Sequence, residues 1–301
     1  MADATADRIL FAVALRLGSV FGFQCMNSAI KLAEASGATL GEILFYRQFG
    51  AACLITLVIM RGPGLASVRT ERFGAHVLRA VMGLTAMVLT FTAVLALPLA
   101  ESTTIAFTMP IFATILGAIV LREPTGWHRW VAVVAGFIGV LIVAQPGSGH
   151  FPLWGALSGL AAALMTASVS ILLRQIAKTE ATMTTVFWFS ALSVLPLGIA
   201  YLFVAQAHTA FGWGALIAVG LLGGIAQIFM TSSIRHGPVS LVVPMDYSSL
   251  LWATLFGWVL FEVLPTPATW IGAPIIIVSG LYIVWREHVR RRPMTDEAVS
   301  A

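Results

Sequence analysis

The sequence predicts an all-α integral membrane protein in which ten transmembrane helices form two inverted five-helix repeats around a central cavity. Three observations predict this fold. Only 10% of the residues are charged and 59% are hydrophobic, with a mean hydropathy of +0.93, whereas a soluble domain carries about 25% charged residues. Ten apolar segments have the length of a bilayer-crossing helix. The two halves of the chain also match at a fixed offset.

The predicted spans are joined by short connections. A helix needs about 20 mostly apolar residues to cross the hydrocarbon core, and glycine and proline mark most of the connections as turns, as in "RGPG" at 61–64. The first apolar run contains Arg16 and lacks a small-residue cleavage site, so we expect a permanent helix there rather than a signal peptide. The spans are 9–31, 39–60, 76–97, 99–121, 128–145, 152–174, 182–204, 213–234, 239–261 and 267–286.

Basic residues predict the orientation of these spans, because cytoplasmic loops carry an excess of lysine and arginine. With a cytoplasmic N-terminus, most of the 17 basic residues fall on or near the cytoplasmic side. Lys31 falls outside, and Arg16 and Arg47 lie within spans. We therefore expect a multi-pass inner-membrane protein with both termini in the cytoplasm. The cytoplasmic anchors are Arg8, Arg61, Arg69, Arg72, Arg79, Arg122, Arg129, Arg174, Lys178, Arg235, Arg286, Arg290, Arg291 and Arg292.

An internal repeat relates the two halves of the chain. At an offset of 140 residues, Pro98 matches Pro238 and Trp130 matches Trp270. Each half holds five spans, an odd number, so related halves must have opposite orientations in the membrane. This plan recurs in secondary transporters, whose substrate site lies between the halves. We expect a first repeat at 1–147, a second repeat at 148–286 and a basic cytoplasmic tail at 287–301.

Four of the charged residues within the predicted spans are candidates for gating. An arginine near mid-bilayer costs roughly 2.5 kcal/mol or more, so it usually faces protein or water. Counted at about 1.5 Å per residue, Arg16 and Asp246 lie at similar depths on the predicted cytoplasmic side. Arg47 and Glu101 lie on the predicted outer side. We hypothesise that each of these two pairs closes one side of a central cavity. In the alternative interpretation, each arginine extends to the headgroups or caps a carbonyl.

Two of the prolines within predicted spans, Pro110 and Pro244, are candidates for breaking the helix. Pro110 removes the helical hydrogen bond to the carbonyl of Ala106, and Pro244 removes the one to the carbonyl of Ser240. Carbonyls freed at membrane depth are tolerated where they line a cavity. Both prolines are therefore candidate gating positions, and a plain packing kink is the alternative.

Polar and aromatic side chains within the spans are candidates for substrate contact. A buried amide needs hydrogen-bond partners, which either a neighbouring helix or a substrate supplies. Aromatic rings would stack on a planar substrate, and a carboxylate would bind a substrate ammonium group or a proton. The candidates are Gln24, Asn27, Tyr46, Trp188, Gln227, Asp246, Tyr247, Ser249 and Trp252.

Two long stretches point to a known family. The stretch at 97–143 contains "LPLAESTTIAFTMPIFATILGAIVLREPTGWHRW", and the stretch at 237–284 is a weaker copy in which "FEVLPT" displaces the proline from the glutamate. A second-span sequence, "EILFYRQFG", precedes the basic "RGPG" loop. Over essentially its whole length the chain resembles the EamA type of the drug/metabolite transporter superfamily. The amino-acid exporters of the YddG type share the ten-helix plan.

The resemblance implies a secondary transporter of small metabolites, since members of the superfamily move amino acids, S-adenosylmethionine, riboflavin or sugars. We expect export of an aromatic or other zwitterionic amino acid by alternating access. Apolar and aromatic walls with a few amides and fixed charges suit such a molecule. The alternative is an uptake carrier for a vitamin or nucleotide-like substrate such as riboflavin or S-adenosylmethionine. Protons are the candidate coupling ion.

Other classes of function lack their characteristic residues in this sequence. It contains no P-loop, dinucleotide fingerprint, nucleophile elbow or zinc motif, so we expect neither an enzyme nor an ATP-driven pump, and no cofactor or metal. A channel would need a continuous polar ring, whereas the polar positions here are scattered. The net charge of +4 comes from topological anchors. The expected partners are therefore a small-molecule substrate and the lipid bilayer, and not nucleic acid.

Overall fold

Long helices make up almost the whole protein. A computed structural model describes residues 2–120, 126–145, 152–176, 179–236 and 243–290, and no strand occurs in these ranges. The helices are α1 Ala2–Ala35, α2 Leu40–Arg61, α3 Phe73–Ala96, α4 Leu99–Ala106, α5 Met109–Ile119, α6 Trp127–Ala144, α7 Leu153–Ile176, α8 Thr182–Val204, α9 Ala210–His236, α10 Ser249–Phe261 and α11 Pro267–Arg290, with 3-10 helices at Leu65–Val68 and Val243–Ser248.

The helices confirm the predicted all-α membrane fold. Nine segments of the described chain are long and apolar enough to cross a membrane, with α4 and α5 together forming one of them. The remaining predicted span, 239–261, begins outside the described residues and continues as the second 3-10 helix and α10. The final helix extends further than predicted, because α11 includes residues 287–290 of the expected tail. Residues 291–301 lie outside the described part.

Two spans are interrupted in the middle. In the first, α4 ends at Ala106 and α5 begins at Met109, directly before Pro110. In the second, the 3-10 helix that contains Pro244 gives way to α10 at Ser249. From Met109 to Ser249 is 140 residues, the offset of the sequence repeat. The breaks therefore occupy corresponding places in the two halves.

Helix contacts follow the symmetry of two related halves. In the two halves, α1 corresponds to α7, α2 to α8 and α3 to α9. The contact between α1 and α9 then becomes the contact between α7 and α3, and both are extensive. Likewise the packing of α2 on α9 corresponds to that of α8 on α3, and α6 packs against its own counterpart α11. Because each half crosses the membrane five times, this exchange requires opposite orientations.

Glycines allow two pairs of helices to cross closely. A Cβ atom added at Gly220 of α9 would lie 2.5 Å from the carbonyl oxygen of Tyr46 in α2, and one added at Gly50 would lie 2.6 Å from the backbone of Gly220. In the α6–α11 crossing, a Cβ atom at Gly272 would lie 2.6 Å from the carbonyl oxygen of Gly139. Small residues let membrane helices gain van der Waals contact that lipid does not supply.

The start of α2 binds the loop of the other half that connects α8 to α9. Thr39 caps the helix by accepting a hydrogen bond from the backbone N–H of Glu42, and the Glu42 side chain accepts one from the Thr39 N–H in return. The second carboxylate oxygen of Glu42 accepts the N–H of Gln206 at 2.9 Å and lies 2.8 Å from His208 Nε2. This carboxylate therefore ties the α8–α9 connection to the end of α2.

Both termini are expected to be cytoplasmic, and this orientation stays a prediction. In a background with Cys25 and Cys53 replaced by alanine, we expect Ala207→Cys, in the exposed α8–α9 connection, to react with a membrane-impermeant thiol reagent in intact cells. Ala66→Cys, exposed between α2 and α3, should react only after lysis. The reverse labelling pattern would show that the protein is inserted in the opposite orientation.

Candidate functional site

A cavity of about 260 Å³ lies within the bundle, between α1, α3, α4, α5, α7 and α10. Its apolar lining is small apart from Phe107 and Met109. Ala162 and Ala163 of α7, for example, leave the space in which the cavity forms. The polar lining consists of two amides and five hydroxyl groups, from Gln24, Asn27, Thr90, Ser102, Thr103, Thr166 and Ser249.

Two amides on α1 form the most polar wall of the cavity. Gln24 and Asn27 are three residues apart and therefore share one helix face. The Nδ2 group of Asn27 donates to Gln24 Oε1 at 3.4 Å, and Gln24 Nε2 donates to Thr103 Oγ1 at 3.2 Å. This chain of hydrogen bonds joins α1 to α4 across the site. It also satisfies the buried amide of Gln24, as a buried polar group requires.

Hydroxyl groups next to the helix break complete the polar lining. Ser102 and Thr103 come from the last turns of α4, directly before the interruption. The sequence analysis did not select either residue. The sequence feature that could have identified them is the run of four polar residues from Glu101 to Thr104 inside an apolar span. A polar run at membrane depth needs hydrogen-bond partners that lipid does not offer.

Arg16 and Asp246 are brought into contact by the structure. Arg16 Nε donates to Asp246 Oδ1 at 2.5 Å, and Arg16 Nη2 donates to Oδ2, so the pair is bidentate. Arg16 is buried in α1, and Asp246 belongs to the 3-10 helix before α10. The neighbouring Tyr247 packs edge-on against Phe107, a lining residue, with ring centres 4.9 Å apart. The ion pair therefore lies on the predicted cytoplasmic side of the cavity.

The predicted pairing of Arg47 with Glu101 is not formed. Arg47 Nη1 donates to Gln48 Oε1 at 3.0 Å, and its side chain lies beside Gly223 of α9. Glu101 is held elsewhere. Its Oε1 atom accepts the N–H of Thr266 at 3.1 Å and the hydroxyl of Thr269 at 2.9 Å. The pair does not form because the Arg47 side chain points from α2 towards α9, and Glu101 is hydrogen-bonded to residues at the start of α11.

Lys31 lies within electrostatic range of Glu34 and, more weakly, of Glu101. Lys31 lines a second cavity, of about 500 Å³, together with Pro98 and Thr266. These residues come from the predicted outer ends of their spans. On the predicted outer side, Glu101 is therefore hydrogen-bonded to threonines at the start of α11, and Lys31 is the basic residue that lies in its electrostatic range.

The aromatic candidates lie outside the lining of the central cavity. The Trp188 indole N–H donates to the Val68 carbonyl at 2.8 Å, which places this ring at the predicted cytoplasmic edge. Tyr46 packs against Tyr201, and Trp252 packs edge-on against Phe21. Gln227, the remaining amide candidate, is half-buried on α9. Of the predicted substrate contacts, the cavity brings together Gln24, Asn27 and Ser249.

Comparison with known proteins matches the chain to one family in both halves. The EamA-like transporter family matches residues 37–145 and 153–285. A solved crystal structure with 21% sequence identity superposes with a TM-score of 0.60 and covers 92% of this chain and 99% of that one. At this identity the superposition establishes the fold alone.

Curated relatives cover nearly the whole chain. A riboflavin transporter of Vibrio cholerae is 29% identical over 90% of this chain and 92% of its own length. A pseudopaline exporter, CntI of Pseudomonas aeruginosa, is 30% identical over 91% of this chain and 95% of its own. An S-adenosylmethionine uptake transporter of Rickettsia prowazekii is 26% identical over 82% of this chain and 83% of its own.

Proposed function

Because this chain belongs to the EamA-like transporter family, we propose that its central cavity binds a small, uncharged metabolite rich in hydrogen-bonding groups, of the riboflavin kind. The protein is a membrane transporter of small molecules, and alternating access between the two halves would carry the substrate across the inner membrane. Uptake is the proposed direction.

The chemistry of the cavity wall carries this proposal. Two amides and five hydroxyl groups line the cavity, and no described charged side chain does. A zwitterionic amino acid would have to leave its ammonium and carboxylate groups without charge partners, and burying an unpaired charge is far more costly than burying a hydrogen-bonded polar group. An uncharged substrate needs hydrogen bonds alone. Phe107 offers a ring against which a flat heterocycle would pack.

Relatives of this chain support the same substrate class. The Vibrio cholerae relative is a riboflavin transporter, and the Rickettsia prowazekii relative is an S-adenosylmethionine uptake transporter. Riboflavin is uncharged, so it suits the cavity wall better than the cationic S-adenosylmethionine does.

Amino-acid export is the second candidate, and the position of one ion pair favours it. Arg16 and Asp246 lie next to the cavity and pair with each other. If the pair separated during transport, the arginine would be available to a substrate carboxylate and the aspartate to a substrate ammonium group. The pseudopaline exporter, 30% identical, is a relative that works outward.

Counterflow into liposomes tests the proposal directly. The purified protein is reconstituted with unlabelled riboflavin inside, and uptake of labelled riboflavin is followed with and without a pH gradient. We expect saturable riboflavin counterflow. Amino acids and S-adenosylmethionine are tested in parallel. Counterflow of an amino acid in the absence of riboflavin counterflow would establish the second candidate instead. A dependence on the pH gradient would identify protons as the coupling ion.

Gln24 is expected to be the main determinant of substrate affinity. The substitution Gln24→Leu keeps the volume of the side chain but removes the partner of Asn27 and Thr103, so polar groups of both protein and substrate lose hydrogen bonds. Leaving a buried polar group unpaired costs about 1–3 kcal/mol, which corresponds to a rise in KM of roughly 5- to 150-fold. Gln175→Leu, at an exposed position of α7, serves as the matched control. Equal KM values for the two variants would contradict the assignment.

A further inference from the structure

Two arginines of the bundle, one buried and one half-buried, lie away from the lining of the central cavity. Arg47 of α2 is 7% exposed. The guanidinium carbon of Arg79, in α3, lies 4.2 Å from the ring centre of Phe189, and its Nε and Nη1 atoms are buried with no hydrogen-bond partner among the described residues. From the sequence, Arg79 is expected to be a topological anchor. The structure instead directs its charge into the protein.

Gln48 and Phe189 connect the two arginines. Gln48 accepts a hydrogen bond from Arg47 Nη1 and donates one to the Phe189 carbonyl at 3.4 Å. The Phe189 ring in turn carries the Arg79 guanidinium on its face. Arg47 and Arg79 are near enough for their like charges to repel. Through Gln48 and Phe189, both arginines are therefore placed in one region of the bundle, between α2, α3 and α8.

Several other charged groups inside the described bundle have an ion-pair or hydrogen-bond partner. Arg16 pairs with Asp246, and Glu42 holds His208. The carboxylate on the predicted cytoplasmic side of the arginines, Glu180, accepts a hydrogen bond from Thr70 and lies 3.8 Å from His76.

Neither Arg47 nor Arg79 receives an attractive charge interaction from a carboxylate in the described ranges. A buried charge is normally retained only when it is paired and hydrogen-bonded. The two arginines therefore need a negatively charged partner that the described residues do not provide.

A glycine beside each guanidinium provides room for it. A Cβ atom added at Gly83, one turn after Arg79, would lie 1.9 Å from Arg79 Nη1. A Cβ atom at Gly223 of α9 would lie 3.3 Å from Arg47 Nε. The Arg79 side chain thus runs along α3 over Gly83, away from the predicted cytoplasmic end of the helix. An arginine that only extended to the headgroups would run the other way.

We propose that Arg47 and Arg79 form a binding site for an oxyanion, a phosphate or carboxylate group, separate from the central cavity and independent of the metabolite that the cavity carries. The planar guanidinium presents donors along its edges that match these anions, and the unpartnered Nε and Nη1 atoms of Arg79 lie on two different edges, so each edge has a donor for an oxyanion. A phosphate or carboxylate group would offset the positive charge of the two arginines and accept a hydrogen bond from an unpartnered donor of Arg79.

Two sources could supply the oxyanion. Arg79 lies six residues after the start of α3 at Phe73, about 9 Å along the helix, and its side chain is directed further inward, so a lipid phosphate would have to enter between the helices from the cytoplasmic leaflet. A free phosphate or an acidic metabolite would reach the same donors from the cytoplasm. The test therefore has a lipid arm and a soluble arm.

Thermal stability measures this binding without a transport assay. The purified protein is placed in nanodiscs of phosphatidylcholine, and its Tm is measured in chloride buffer during a titration with inorganic phosphate. In the second arm the nanodiscs contain phosphatidylglycerol and no phosphate is added. We expect a saturable rise of several degrees in at least one arm, because a ligand that binds only the folded state stabilises it. The arm that responds identifies the source.

Substitutions show whether the two arginines are responsible. Arg79→Gln and Gly83→Ala should each abolish the rise in Tm, whereas Arg61→Gln, an exposed arginine at the end of α2, should keep it. Without an oxyanion, Arg79→Gln should raise the Tm above that of the wild type, since it removes an uncompensated buried charge. If Arg79 only packed against Phe189, the same substitution would lower the Tm in every condition.

The proposal is overturned if neither arm changes the Tm, or if the rise persists in both Arg79→Gln and Gly83→Ala. Because no arm measures transport, either outcome leaves the proposed function of the central cavity unaffected. Failure of riboflavin counterflow, in turn, does not alter the Tm measurements.

Discussion

Asp246→Asn is expected to lower the rate of counterflow at least tenfold while the protein stays folded. Asparagine keeps the shape of the side chain but loses the charge that binds Arg16 through two hydrogen bonds. Hydrogen bonds to charged groups contribute about 1.5–3 kcal/mol, which changes the ratio of two conformations roughly 10- to 150-fold. Since the pair lies on the predicted cytoplasmic side of the cavity, its loss should depopulate the conformation closed on that side.

The charge-swapped double variant provides the decisive comparison. Arg16→Glu and Asp246→Arg should each abolish most of the counterflow, and the two together should restore part of it, which gives a coupling energy in a double-mutant cycle. Glu71→Gln, at an exposed carboxylate between α2 and α3, is the control for a change in net charge. If the two single effects simply add, Arg16 and Asp246 do not form a gate. Asp246 would then be tested as a proton site through the pH dependence of flux.

Gly220→Val should prevent the accumulation of folded protein. At this position even a Cβ atom would lie 2.5 Å from the Tyr46 carbonyl oxygen and 3.2 Å from the Cα atom of Gly50. Both neighbours are backbone atoms, so the clash is relieved only if α2 and α9 move apart. Overpacking of a close-packed interior costs about 1–3 kcal/mol and occasionally more, and separating two backbones belongs at the upper end of that range.

Alanine variants separate this effect from a general intolerance of larger residues in α9. Gly214 belongs to the same helix, and a Cβ atom there would meet nothing within 4 Å. We expect Gly220→Ala to lower the Tm by several degrees and Gly214→Ala to leave it unchanged or raise it, because alanine favours the helical state. Equal Tm values for the two alanine variants would show that the α2–α9 crossing is looser than the structure indicates.

The predicted spans agree with the structure because their cause is local. A chain in lipid must satisfy its own backbone hydrogen bonds, and a helix does this within each segment. Length and composition are therefore sufficient, as α2 and α7 show: predicted at 39–60 and 152–174, they are found at Leu40–Arg61 and Leu153–Ile176. The helix break near Pro110 is only partly local in cause: proline removes one backbone donor, but Pro196 and Pro274 stand inside the continuous helices α8 and α11.

The site itself was only partly predictable. Gln24 and Asn27 were selected because buried amides are costly in lipid, and they line the cavity. Trp188 was also selected because it lies within a span, but its indole N–H donates to the Val68 carbonyl. Thr103, the partner of Gln24, was missed because a threonine can satisfy its hydroxyl within its own helix, as Thr104 does with the Ala100 carbonyl.

The amino-acid order thus specifies the solvent of this protein, the number of crossings, the two related halves and the rare charged positions, because each of these depends on residues close together in the chain or on composition. The partners of those charges depend on how each helix is rotated and where it crosses its neighbours. Arg16 binds Asp246 as predicted. Arg47 instead lies beside Gly223. Glu101 is hydrogen-bonded to Thr266 and Thr269. Position in the sequence predicts how deep a side chain lies in the membrane, but the packing of the helices decides which neighbour it contacts.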